Sequence, residues 1–409
     1  MKNKAALALA VGAAFTTPAL AQTTGSTLEI YGRVYPAFAS YKASGATTGL
    51  PPSNLLATTG AGPNDQAQRY SIDAYNSRLG FRGREVLGGG MSAIYQMEQR
   101  VQIDQGNADF FANRDSFLGL TGGFGTFRMG RMDTIHNDWG NVTNIFGIKS
   151  GHFFSSTSLV TDSGLGGGGT GFDTRRSNSL KYETPEFGGF QLGLSYSPDE
   201  TKGNPGRVQD ADLWAAAVKW SSGPFYVSAQ YERHNDHFDG SITSGNAAIQ
   251  NATAINTVIG GATSEDTSMR LSARWQMTPN HRIAGDVGQL EYKESGQAAA
   301  GRFESRKHMV YQIGWEASWG GPWRTALTFA QATDGDCSLS GGVACSTSGL
   351  KSSEFAAALA YDFSKRTFLY AGFAQLNLGE SALYDNWTNG TPPRGSDVQQ
   401  WGIGVAHSF

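Results

Sequence analysis

The chain has 409 residues, with 32 Lys and Arg against 35 Asp and Glu and a formal net charge of −3 at neutral pH. So mild a charge excludes nucleic acid as a partner class, and past the first twenty residues no segment reaches the ~20 consecutive apolar residues of a membrane-spanning helix. Yet the 54 glycines and 11 % aromatics fit a membrane β-barrel, where only alternate residues touch lipid and average hydropathy stays polar.

In chain order, the first element is MKNKAALALAVGAAFTTPALA. Lys2 and Lys4 form a basic start, residues 5–15 a short apolar core, and Ala19–Ala21 an A-x-A cleavage signal. This pattern predicts a signal peptide over residues 1–21, with 22–409 exported through the periplasm as one barrel. The body then alternates apolar and polar residues in segments of about ten, the period of a strand. Examples are LEIYGRVYPAF (28–38), MSAIYQMEQRV (91–101), FQLGLSYS (190–197), WRTALTFAQA (323–332) and VQQWGIGVAHSF (398–409). Tight turns at 87–90, 122–123, 221–224, 278–280, 320–322 and 364–365 alternate with long polar loops around 41–68, 234–264, 333–350 and 381–396. Short turns on one side and long loops on the other predict an all-β, sixteen-stranded antiparallel transmembrane barrel, an even number with both termini at one end. The last strand, ending in Phe409, closes it.

Residues 132–175 break the alternation for over forty positions. A loop this long is functional or disordered, and Trp139, Phe146, Phe153 and Phe154 need a surface to pack on. The inner wall of a wide barrel supplies one, so the loop is predicted to fold into the lumen. Cys337 and Cys345 sit close together in a polar stretch, which in an exported chain predicts one local disulfide. Two thiols without further ligands make no metal centre. The His234, Asp236, His237, Asp239 group in RHNDHFDG reads as a solvated loop tip. LGGGGTG (165–171) lacks the Lys-Ser/Thr of a phosphate loop and reads as a hinge.

SRLGFRGREVLGGGMSAIYQMEQ (77–99) and NRDSFLGLTGGFGTFRMGR (113–131) resemble blocks of the trimeric, sixteen-stranded general diffusion porins of β-proteobacteria. LEIYGRV (28–34), SLKYETPEFGGFQLGLSYS (179–197), SKRTFLYAGF (364–373) and GIGVAHSF (402–409) extend the resemblance along the whole mature chain. It implies a passive, water-filled outer-membrane channel whose third external loop narrows the lumen, a homotrimer in lipid and lipopolysaccharide, and assembly through barrel-assembly machinery that engages Phe409. It also implies a constriction in which wall arginines face acids and carbonyls of the loop. Carried over by position, the wall residues are Arg33, Arg78 and Arg131, with Arg82, Arg84, Arg114 and Arg175 as further candidates and Asp133, Asp138 and Asp162 as loop acids. Parity independently sets Arg33 opposite Leu28 and Ile30, and Arg78 opposite Leu79 and Phe81. For Arg131 it does not, because strict alternation through TFRMG turns Arg128 inward. Where an acidic pair is expected after SRLGFRG this chain has REV, and the loop is sparse in acids, so the constriction is expected to favour anions. No cofactor or catalytic residue is predicted. A substrate-specific channel for phosphate, carboxylate or sugar is the alternative, and an outer-membrane barrel enzyme a lesser one.

Overall fold

The computed structural model describes residues 25–49, 64–106, 111–148, 152–165, 171–198, 211–237, 262–296, 300–385 and 392–409; the segment expected to be a signal peptide lies outside them. Among the described residues nineteen strand segments follow one another: β1 (Thr27–Val34), β2 (Ala37–Ser44), β3 (Gln66–Asp73), β4 (Arg78–Gly88), β5 (Met91–Arg100), β6 (Ser116–Gly122), β7 (Gly125–Asp133), β8 (Arg175–Glu183), β9 (Phe190–Ser197), β10 (Asp212–Ser222), β11 (Phe225–Asn235), β12 (Thr263–Thr278), β13 (His281–Ser295), β14 (Phe303–Ser318), β15 (Trp323–Ala332), β16 (Asp336–Leu339), β17 (Ser352–Asp362), β18 (Thr367–Asn377) and β19 (Asp397–Ser408).

Three of the joints are interruptions within one stave. β1 and β2 lie end to end against β19, with Arg33 opposite Ser408 and Ala37 opposite Gly404. β3 and β4 lie end to end against that pair, and β15 and β16 both pair with β14. Nineteen segments less three joints give sixteen antiparallel staves, closed by β19 on β1 and β2, as the turn pattern predicts. Pro36, which has no N–H to donate, accounts for the first break. At the level of the second, the Tyr35 amide donates to the Ser77 hydroxyl at 2.8 Å instead of a ladder carbonyl, and Tyr75 takes φ +40°. Closure satisfies the edge that lipid could not hydrate. The Phe409 amide and carbonyl both bond to Gly32 at 3.1 Å.

Outward positions are apolar. Along β12, Met269 and Leu271 are about half exposed while Ser268, Arg270 and Ser272 are buried on the inner face. Phe225, Trp275, Trp315, Trp319, Trp323 and Phe363 gather beside the short turns, an aromatic girdle at one interface. The disulfide joins Cys337 in β16 to Cys345, across a loop at the opposite end. One expectation fails: RHNDHFDG is not all loop tip. β11 runs through Asn235, and His234 is fully buried on its inner face, bonded to Glu232 at 2.7 Å. The strand extends beyond the membrane band, so polar residues there continue the ladder instead of leaving it.

Candidate constriction site

Between β7 and β8 the chain turns into the barrel. Thr134 begins α1 (Ile135–Gly140), accepting from the Asn137 amide at 3.3 Å and donating its hydroxyl to Glu232. α1 packs on β9, β10, β11 and β12, while α2 (Thr157–Thr161) packs on β14, β15 and β17. The loop therefore sweeps round most of the inner circumference. Its apolar side chains are buried: Ile135, Phe153, Leu159 and Leu165 are wholly inaccessible.

Two features of the wall receive it. The first is a set of glycines. Cβ atoms built on Gly372 and Gly402, directly paired across β18 and β19, would lie 2.2 Å from Phe154 and 2.9 Å from Phe153. At Gly193 a Cβ would lie 2.4 Å from Ile135, and at Gly314 it would lie 2.7 Å from Thr143. The second is a belt of donors aimed at loop carbonyls. Tyr226 and Ser228 donate to Trp139 O at 2.8 and 2.9 Å, and Ser272 to Gly140 O at 2.9 Å. Arg282 donates to Asn144 O at 3.0 Å, and Arg33 to Phe146 O at 3.2 Å and Gly147 O at 3.4 Å. These bonds satisfy backbone acceptors that a lumen-crossing loop would otherwise leave unpaired.

The wall of β1, β4 and β5 faces this loop and carries the cations. Arg33, Arg78 and Arg100 stand in one row, each the direct cross-strand neighbour of the next. Like charges so placed are unfavourable in a soluble sheet; here water, loop carbonyls and one buried acid compensate. The acid is Glu98, one row nearer the turns. It accepts from Tyr31 Oη at 3.0 Å and Arg114 Nε at 2.5 Å, with Arg78 Nε at 3.4 Å. Arg82 forms a two-bond pair with Glu29 at 2.8 and 2.9 Å. Arg175 bridges Asp115 at 2.5 Å and Asp133 at 3.2 Å, and Lys181 pairs with Asp138. Those three carboxylates converge within 4.8 Å, held together by the two cations. Asp162 follows α2 and stands against the β14–β17 side, not over the arginine row.

Arg128 and Arg131 resolve the conflict between parity and position. The ladder between β7 and β8 shifts register opposite Arg131: β8 carries one residue more between Arg176 and Ser179, and Gly130 takes φ +150°, so strict alternation breaks there. Arg128 points inward to Glu183 at 2.7 Å. Arg131 donates to Asn113 O at 3.1 Å and Ser177 Oγ at 2.8 Å, beside the Arg175 cluster. Arg282 and Arg324 are additional wall residues that the sequence reading did not single out. Arg282 pairs with Glu316, and Arg324 grips Asp362 at 2.6 and 2.8 Å with its guanidinium over Phe146 and Phe368 at 4.8 and 4.7 Å. Inward parity in HRIAG and WRTAL carried their signal. Within the loop, burial pushes His136 down to about 3 and His152 well below the usual range, so both are neutral.

A sequence model described as Gram-negative porin matches residues 5–381. The chain belongs to the Gram-negative porins. Its place is the cell outer membrane. Among curated relatives, the major outer membrane protein P.IB of Neisseria meningitidis serogroup A is 33 % identical over 162 residues, covering 39 % of this porin and 44 % of that protein. A serogroup B form is 31 % identical over 189 residues, covering 46 % and 52 %. The chain thus spans about half the length of the curated relatives it matches. Among solved structures, the anion-selective porin from Comamonas acidovorans superposes with a TM-score of 0.67 at 22 % identity, over 94 % of this porin and 100 % of that chain. OmpT of Vibrio cholerae in its trimer form gives 0.63 at 13 % identity, over 94 % and 99 %. At these identities the structural likeness is one of fold.

Proposed function

We propose that this porin is a passive, water-filled channel for small hydrophilic solutes and ions, leaning towards anions, and that it is no enzyme. The observation that carries the reading is the Arg33–Arg78–Arg100 row facing the folded-in loop. The loop packs on the wall from β9 round to β19 and is latched by Arg33 of β1, and on this reading the path runs between it and the cationic β1–β5 wall. Arginine keeps its charge at any physiological pH, and a narrow cleft lined by one sign concentrates counter-ions. On this reading Arg33, Arg78, Arg82, Arg131 and Arg175 set the field, and Asp133 and Asp138 hold the loop's entry against the wall. The anion selectivity named for the Comamonas protein agrees with it.

The substrate-specific alternative draws support from one observation. Arg69, Arg78, Arg82 and Arg84 share the inner parity of the single β3–β4 stave, a basic track running lengthwise. Residues 1–21 act as the export signal, Phe409 as the mark read by the assembly machinery, and the working unit is a homotrimer in lipid and lipopolysaccharide.

The test is the reversal potential of purified protein in a planar bilayer under a potassium chloride gradient, wild type beside Arg78→Ala. Stepwise conductance with anion preference, weakened in the variant, supports the proposal. Absence of conductance refutes the channel, and cation preference unchanged by the variant refutes the arginine constriction. Saturating, solute-blocked currents would favour the substrate-specific reading.

A further inference from the structure

We infer that Glu98, a buried acid, is a specificity-determining positioning residue that makes Arg78 and Arg114 a two-pronged site for planar oxyanions. The inference rests on the channel reading above and deepens it by naming a solute class, carboxylates.

Three strands and a loop build the arrangement. Tyr31, Gly80 and Glu98 are successive cross-strand neighbours on β1, β4 and β5. Gly80 has no side chain, and a Cβ there would lie 2.4 Å from the Tyr31 ring. The phenol therefore lies flat across Gly80 and reaches Glu98 Oε2 at 3.0 Å. The other oxygen, Oε1, takes Arg114 Nε at 2.5 Å, and Arg78 Nε stands 3.4 Å from Oε2. Arg114 is held through its inner nitrogen, and Arg78 stands in ion-pair range through its own. Among the described residues the Nη atoms of neither take a hydrogen-bond partner, so they remain for a solute.

Exposure decides what a solute meets. The Glu98 side chain is 9 % exposed, against 28 % for Arg78 and 14 % for Arg114. The acid is the most hidden of the three, and Arg78 is the more accessible of the two guanidinium groups. A guanidinium edge matches a carboxylate with two parallel N–H bonds, which a spherical halide does not use. Glu98 thus does two separable things: its charge lowers the overall anion preference, and its geometry raises the preference for oxyanions over halides.

The two effects have opposite signs on removal of the charge, and that gives the test. Permeability ratios are measured in planar bilayers for formate against chloride and for chloride against potassium, on wild type, Glu98→Gln and Tyr31→Phe. Wild type is expected to pass formate over chloride above their free-solution mobility ratio. In Glu98→Gln this excess is expected to fall roughly two- to fivefold while chloride over potassium rises. Tyr31→Phe keeps the charge and loosens the carboxylate; it should lower the formate preference and leave chloride over potassium unchanged. Should Glu98→Gln fail to fold, the Tyr31→Phe result decides alone. A formate ratio equal to the mobility ratio in wild type, or unaltered in the variants, overturns the inference and leaves the channel standing. A wild type that does not conduct overturns the channel itself.

Discussion

A methyl group added to the wall at Gly372 tests whether the glycine sockets, and not the loop's own helices, set the constriction. In Gly372→Ala the new Cβ would lie 2.2 Å and 2.5 Å from two carbons of the Phe154 ring and 2.8 Å from Ala357 O. Ordinary contact begins near 3.4 Å, so the deficit exceeds an ångström. The carbonyl belongs to the β17 ladder, and the ring is itself stacked on His152 and tilted against Phe153, with centroids 4.3 Å from each. The ring must leave its socket. Overpacking of this kind costs about 1–3 kcal/mol, and 1.4 kcal/mol is tenfold in a population. The displaced loop should therefore become roughly ten- to a hundredfold more populated. Single-channel recording should show frequent current transitions and an altered mean conductance. The ladder needs only a small shift at Ala357 O and keeps the pairing of Gly372 with Gly402, so heat resistance of the barrel on gels should change less than the channel current. Gly123→Ala, at a turn glycine with open space around it, is the matched control. Wild-type noise and conductance in Gly372→Ala, with the barrel folded, would refute the socket reasoning.

Other consequences follow from the same contacts. Arg33→Ala removes both bonds to Phe146 O and Gly147 O, charge-assisted bonds of about 1.5–3 kcal/mol each; larger conductance with weaker anion preference is expected, measured as above, whereas larger conductance with unchanged preference would make Arg33 a latch only. Acidification should loosen the loop. His136, beside Arg270, and His152, beside Arg33, are held neutral by burial, so their contribution is fully present above about pH 6.5 and lost as pH falls, by about 1.4 kcal/mol per histidine per unit. Current noise should rise below pH 6 in wild type and stay flat in the His136→Gln/His152→Gln double variant; equal noise in both removes the histidines from the account. Reducing Cys337–Cys345 opens a closure with a sequence separation of 8, worth about 2.5 kcal/mol by loop entropy. Earlier thermal unfolding with unchanged conductance is expected, since the bond lies away from β1–β5; a conductance change would link that loop to the pore.

The sixteen staves were legible in the sequence because lipid imposes a strict rule: an inward-outward error on an arginine costs about 2–4 kcal/mol near mid-bilayer. Where that rule relaxes, legibility goes with it. LEIYGRVYPAF reads as one strand, yet Pro36 divides it, since the alternation of side chains says nothing of a missing N–H. The break in alternation at Gly130, opposite the one-residue bulge of β8, leaves both Arg128 and Arg131 with polar partners, which no fixed parity can express. The loop's entry into the lumen was legible from its own aromatics, but its seat was not, because a glycine carries no mark of the ring that will lie over it.

The same limit applies to charge. Parity counts arginines on the inner face and says nothing about which nitrogens are engaged. Arg33 and Arg282 give their outer nitrogens to loop carbonyls, so on the channel proposal their charge holds the loop and is partly withdrawn from solutes. Arg78 and Arg114 approach Glu98 with their inner nitrogens, which on the inference above leaves their outer edges for the stream. Two arginines of one row, Arg33 and Arg78, thus differ in their contacts although sequence treats them alike. The acid that separates them is 67 positions from Tyr31 and 16 from Arg114, so the contacts that assign the roles arise only when the barrel closes.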